Sequence, residues 1–96
     1  MTTLETLQSR RAEILELASK HGAANVRVFG SVARGEDTEN SDIDFLVDMQ
    51  EGRTLYDLIG LQLDIEKALG KHTDVLTPDG INRYLKDQIL TEARPL

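Results

Sequence analysis

Apolar positions recur along this chain with two different periods, and the switches between them mark its elements. Leu4, Leu7, Ile14, Leu15 and Ala18 fall on one stripe at helical spacing. Thr2 with Glu5 three residues on forms a capping box ahead of that stripe. Lys20 and His21 suit the negative end of the helix dipole, and Gly22 is a stop. The spacing predicts one helix over about residues 3 to 21, with His21 as a helix-end residue. Period two follows. Residues 25–29 predict a short strand with Val26 and Val28 on one face. Gly30 breaks it, and Ser31 can cap a short helix over residues 32–34 that Gly35 ends.

Residues 36–41 read as a polar, acidic loop, and residues 42–48 as a second strand. Thr54 caps the next helix, where Leu55, Leu58, Ile59, Leu61, Ile65, Ala68 and Leu69 make a broad apolar surface that Gly70 ends. Asp64 and Glu66 are expected on its solvated side. Residues 73–77 predict a third strand stopped by Pro78-Asp79-Gly80, and Ile81, Tyr84, Leu85 and Ile89 predict a last helix halted by Pro95. This order predicts an α/β fold: a small sheet with helices packed on one face and the other face open.

The candidate chemistry sits on the second strand. In a strand alternate side chains share a face. Asp42 and Asp44 therefore point one way, while Ile43, Phe45 and Val47 point the other way into a core. Two carboxylates on one rigid surface repel each other unless a cation lies between them, and hard oxygen ligands suit Mg²⁺. The Gly30-Ser31 turn upstream can hold phosphates through free N–H groups. Asp74, in the third strand, shares a face with Leu76, and it joins the pair if strand three lies beside strand two. Three carboxylates around two Mg²⁺ ions roughly 3.5–4 Å apart would stabilise both oxygens of an in-line displacement at phosphorus. One of them could accept the proton of an attacking hydroxyl. Asp48 has the parity of Asp44 but lies four residues along, about 13 Å away at strand spacing. It is expected to be a solvated strand-end residue.

Composition narrows the setting. With 96 residues there is room for one domain over residues 1–96 and one modest core. The formal charge of -6 argues against a freestanding nucleic-acid binder and is compatible with a basic protein partner. The chain has no cysteine, no signal-peptide pattern and no apolar run near the ~20 residues that span a bilayer. A cytoplasmic protein away from the membrane is expected.

The Gly30–Gly35 stretch is neither a P-loop nor a dinucleotide fingerprint, since it lacks the phosphate-binding lysine and the glycine spacing. The residues around Asp42 and Asp44 do not fit a calcium loop. Gly30-Ser31-Val32-Ala33-Arg34-Gly35, then Ser41-Asp42-Ile43-Asp44-Phe45-Leu46-Val47, resembles the signature of the minimal nucleotidyltransferases of the DNA polymerase β-like superfamily. Asp74-Val75-Leu76-Thr77 resembles that superfamily's third-acid strand. Within the group the chain is most similar to the MntA-type antitoxins. The resemblance implies a small mixed sheet of the polymerase β-like fold and an Mg²⁺-dependent transferase. It further implies AMP transfer from ATP to a tyrosine of a HEPN-domain ribonuclease toxin, held as a hetero-oligomer.

Carried over by residue, the resemblance implies that Gly30 and Ser31 hold phosphates, Asp42 and Asp44 bind Mg²⁺, and Asp74 completes the metal site and helps activate the hydroxyl. Arg34 is open between pairing a phosphate and bridging Glu36, Asp37 or another carboxylate. Ser41 is expected as a turn residue that orients Asp42, with a phosphate contact possible. Two alternatives stand beside this reading: an antitoxin that only binds its toxin, and a transferase with a small-molecule acceptor. The acidic loop, residues 36–39, is expected at the rim of a docked partner.

Overall fold

The computed structural model describes residues 2–96. The capping box forms as expected: the Glu5 N–H donates to the Thr2 hydroxyl, and the Thr2 N–H to Glu5 Oε1. The single long helix does not form. It divides at Arg10 into α1 (Thr3–Ser9) and α2 (Arg11–Lys20). Arg10 leaves helical geometry at φ -107, ψ 18. Its guanidinium reaches the Ala68 carbonyl at 2.9 Å and pairs with Glu13. The segment has no local breaker, and at the break Arg10 makes a contact 58 residues away.

β1 (Ala23–Phe29) starts two residues before the predicted strand, and Asn25 adopts φ 51 where the register with its neighbour shifts. α3 (Gly30–Arg34) follows at once, ended by Gly35 in the left-handed conformation. Ser31 lies inside this helix instead of capping it, because the helix begins two residues earlier than predicted, at Gly30. β2 (Ile43–Met49), α4 (Leu55–Leu69) and β3 (Thr73–Leu76) then make a parallel crossover unit. Thr54 and Asp57 form the capping box of α4, and Gly70 ends it at φ 66. After a 3-10 turn at Pro78–Gly80 comes α5 (Arg83–Glu92) and then a strand absent from the sequence reading, β4 (Arg94–Pro95).

The sheet order is β3-β2-β1-β4. β2 pairs parallel with β3, and β1 pairs antiparallel with both β2 and β4. The expected small mixed sheet is therefore present. Val28, Ile43, Phe45, Val47 and Val75 bury one face under Leu7, Ile14, Ala18, Val32, Leu61 and Ile65. The opposite face carries the acids, yet it is not bare: Leu46 is fully buried there, between Arg27 and Leu76 in the register.

Three further sequence expectations change. Asp48 is more than a solvated strand end, because it accepts from Arg27 Nη2 at 2.8 Å and Asn25 Nδ2 at 2.9 Å. Asp64 and Glu66 are not simply solvated. Asp64 accepts from His21 at 2.6 Å, which holds its carboxyl below the usual range, and Glu66 Oε2 accepts the Thr73 N–H at 3.1 Å. The stripe of α5 is not a core stripe, since Tyr84 is 79% and Leu85 52% exposed. No helix among the described residues is long and apolar enough to cross a membrane.

Candidate active site

Strand register brings the predicted acids together. Phe29 of β1, Asp44 of β2 and Asp74 of β3 stand side by side across the sheet. Asp42 lies just ahead of β2, where the Ile43 N–H donates to the His72 carbonyl at 3.1 Å and ties the two strand entrances together. Asp42, His72 and Asp74 each present a ligand atom within 4.8 Å of the others. His72 Nδ1 lies 3.6 Å from Asp42 Oδ1 and 3.6 Å from Glu66 Oε2.

His72 was missed in the sequence, although it has the parity of Asp74 two residues on and could have been found by the same alternation. The acids occupy an open shelf at the start of β2. A cleft of about 380 Å³ opens at the other end of the strand, lined in part by Gly22, Asp48 and Met49.

The electrostatics of the shelf are unbalanced. Asp44 is pushed up to about 6, first by burial and then by the charges of Asp74 and Asp42. Arg34 offsets this only in part. A cation between these carboxylates would relieve the repulsion; their oxygens suit Mg²⁺, and the His72 ring nitrogen stands within the same cluster. The donor set is therefore consistent with the divalent metal that nucleotidyltransferases use generally.

Gly30 follows Phe29 directly and packs against Asp44. It adopts φ +73, and a Cβ built on it would collide with Asp44 Oδ2. Glycine is thus required here for two local reasons, the left-handed backbone and the adjoining carboxylate. The Gly30 N–H donates to Glu92 Oε1 at 2.6 Å. Arg34 donates to Glu36 at 3.1 Å and to both oxygens of Glu92 at 2.8 and 2.9 Å. Of its two expected roles, the carboxylate bridge is the one present in this structure. Ser41 is a turn residue, as expected: its hydroxyl accepts the Thr38 N–H at 2.9 Å just before Asp42. Part of the acidic loop is tied down, with Glu36 on Arg34 and Asp37 accepting from the Thr3 hydroxyl. Nothing local in the sequence pointed to Glu92, which reaches this turn from 62 residues away.

Comparison with known proteins agrees with this geometry. Residues 11–96 match the family described as Nucleotidyltransferase domain. The chain is 36% identical, over 96% of its length and 94% of the relative's, to the protein adenylyltransferase MntA of Thermococcus cleftensis. It superposes with TM-score 0.87 on a solved chain assigned as a minimal nucleotidyltransferase, at 51% identity, covering 100% of this chain and 97% of that one. A toxin–antitoxin structure with AMP-PNP shares the fold at TM-score 0.74 and 22% identity, covering 88% of this chain and 69% of that one. Acids in register beside a Gly-Ser turn and a family match over nearly the whole chain lead to one assignment: the chain belongs to the nucleotidyltransferase domain family, as an MntA-like minimal nucleotidyltransferase.

Proposed function

We propose that this chain is an Mg²⁺-dependent protein adenylyltransferase that moves AMP from ATP to a tyrosine of a partner HEPN-domain ribonuclease toxin and so silences it. The cluster of Asp42 and Asp74, with Asp44 in register beside Asp74 and packed against Gly30, carries the reading. The MntA relative supports protein adenylylation, and the toxin–antitoxin neighbour supports a toxin partner. The tyrosine and the HEPN fold of the partner rest on the resemblance of the Gly30–Gly35 and Ser41–Val47 motifs.

Asp42, Asp44 and Asp74 would hold the metal, and His72, clustered with Asp42 and Asp74, would offer a ring nitrogen beside them. When bound, Mg²⁺ supplies positive charge against the developing charge on the phosphate oxygens. Gly30 and Ser31 offer backbone N–H groups to the nucleotide's phosphates, and Gly30 has no side chain to keep them away. The acceptor oxygen attacks the α-phosphorus while the bond from that phosphorus to the pyrophosphate oxygen breaks. Pyrophosphate leaves with the bonding pair. Asp74, at the edge of the shelf, accepts the hydroxyl proton. Ser41 holds the turn that aims Asp42, and Arg34 stands where it can meet a phosphate once freed from its carboxylates.

The test is intact-mass analysis of the partner toxin after incubation with this protein, ATP and Mg²⁺. The expected result is an increase by one or more AMP units, lost when Asp74→Asn replaces the wild type while the toxin still binds. Inhibition of the toxin with no mass change would replace this reading with a binding-only antitoxin.

A further inference from the structure

The turn assigned to phosphate already holds an anion supplied by the chain itself. Glu92 is the last residue of α5. Its Oε1 accepts from the Gly30 N–H at 2.6 Å and from Arg34 Nη1 at 2.8 Å, and its Oε2 accepts from the same Nη1 at 2.9 Å. The side chain is only 15% exposed.

The backbone on both sides is fixed. The Ala93 N–H donates to the Ile89 carbonyl at 2.8 Å, Arg94 and Pro95 pair with Val28 and Arg27 of β1, and the Leu96 N–H donates to the Val26 carbonyl at 3.1 Å. Glu92 is thus aimed at the turn by the end of a helix and the strand that follows. A backbone N–H and a guanidinium are the donors that a phosphate oxygen would take, and a carboxylate offers them the same acceptors with a negative charge. That charge lies close enough to the acids to add to the burden on Asp44.

We propose that Glu92 is a built-in occupant of the phosphate seat, an autoinhibitory latch that a nucleotide triphosphate must displace from Gly30 and Arg34 before it binds. This rests on the reading of the Gly30-Ser31 turn as the phosphate site. The latch lowers apparent nucleotide affinity by the fraction of molecules in which the seat is free. Releasing α5 raises that affinity without any new contact to the nucleotide.

Calorimetric titration with AMP-PNP and Mg²⁺ tests it on the wild type, Glu92→Gln and Glu92→Ala. The expected dissociation constant for Glu92→Ala is about tenfold lower than wild type, with Glu92→Gln between, because the amide keeps an acceptor for Gly30 but loses the charge. Unchanged or weaker binding in variants that melt like the wild type would overturn the latch and make Glu92 a prop for the turn.

Should the variants fail to fold, the wild type decides by NMR. AMP-PNP should shift both the Gly30 amide and the Glu92 side-chain carboxylate. A shift of Gly30 with Glu92 unmoved removes the latch and keeps the phosphate seat. If AMP-PNP moves neither, the phosphate-seat reading fails and the latch fails with it.

Discussion

Asp44 and Asp74 are register partners across the parallel β2–β3 pair, two like charges fixed face to face by main-chain hydrogen bonding. Their backbone positions cannot separate without unpairing the strands. Replacing Asp42 or Asp44 by Asn is expected to lower AMP transfer by about a thousandfold, the scale on which loss of one charge-stabilising group slows a reaction. The fold should survive, since no buried apolar contact is lost. Circular dichroism should be unchanged, and the melting temperature without metal should hold or rise. Wild-type transfer in either variant would remove the acids from the metal site.

The same crowding predicts a pH dependence. Asp44 has its folded-state value raised from 3.8 to about 6, so the folded protein holds a proton that the unfolded chain has released. The stability this provides is complete below about pH 4 and is lost as pH rises through about 6. Without metal, the melting temperature of wild type minus that of Asp44→Asn should therefore fall between pH 4.5 and 7. Added Mg²⁺ should reverse the trend, because ligand carboxylates must be deprotonated to bind it. A difference that stays flat across this range would show that Asp44 is not the strained group.

Gly30 should tolerate no side chain. Gly30→Ala combines a left-handed backbone, which costs an L residue roughly 1–2 kcal/mol, with a Cβ driven into Asp44 Oδ2. Both the melting temperature and the transfer rate are expected to drop, and Gly30→Val should be worse. At Gly35, which adopts φ 73 with open space around it, alanine should carry only the backbone cost and leave transfer near normal. The contrast between the two glycines, measured by denaturant unfolding beside transfer assays, separates strain from site occlusion.

The inner face of α4 should behave as core. Ile65 is fully buried against the sheet, and Ile65→Ala is expected to cost about 2–5 kcal/mol. Leu55, 68% exposed on the same helix, should cost little when replaced by alanine. Urea denaturation of both variants checks the pair.

These residues also show where the sequence could be read and where it could not. Parity along one strand is a local property, so the shared face of Asp42 and Asp44 and the burial of Ile43, Phe45 and Val47 could be seen in the residues alone. The capping box at Thr2, the cap at Thr54 and the stops at Gly35 and Gly70 were likewise local. What lies between elements was not. That Asp74 falls opposite Asp44, and not one pair along, is set by how the crossover packs. The break at Arg10 accompanies a contact with the distant Ala68 carbonyl, and the partner of Gly30 comes from Glu92. β4 was hidden because Arg-Pro has little strand propensity, and it pairs only as a two-residue edge.

The placement of β3 at the end of the sheet has a consequence for how the molecule behaves in a crowded solution. An edge strand offers unpaired main-chain groups to any other chain, and short length, charge and proline are the features that discourage such pairing. β3 has four residues, is preceded by Lys71 and His72, carries Asp74 and is closed off by Pro78. The side chains that gather for phosphate chemistry therefore also guard the sheet against growing by one more strand. Asp74→Val, chosen to erase a charge, should cost solubility as well as activity.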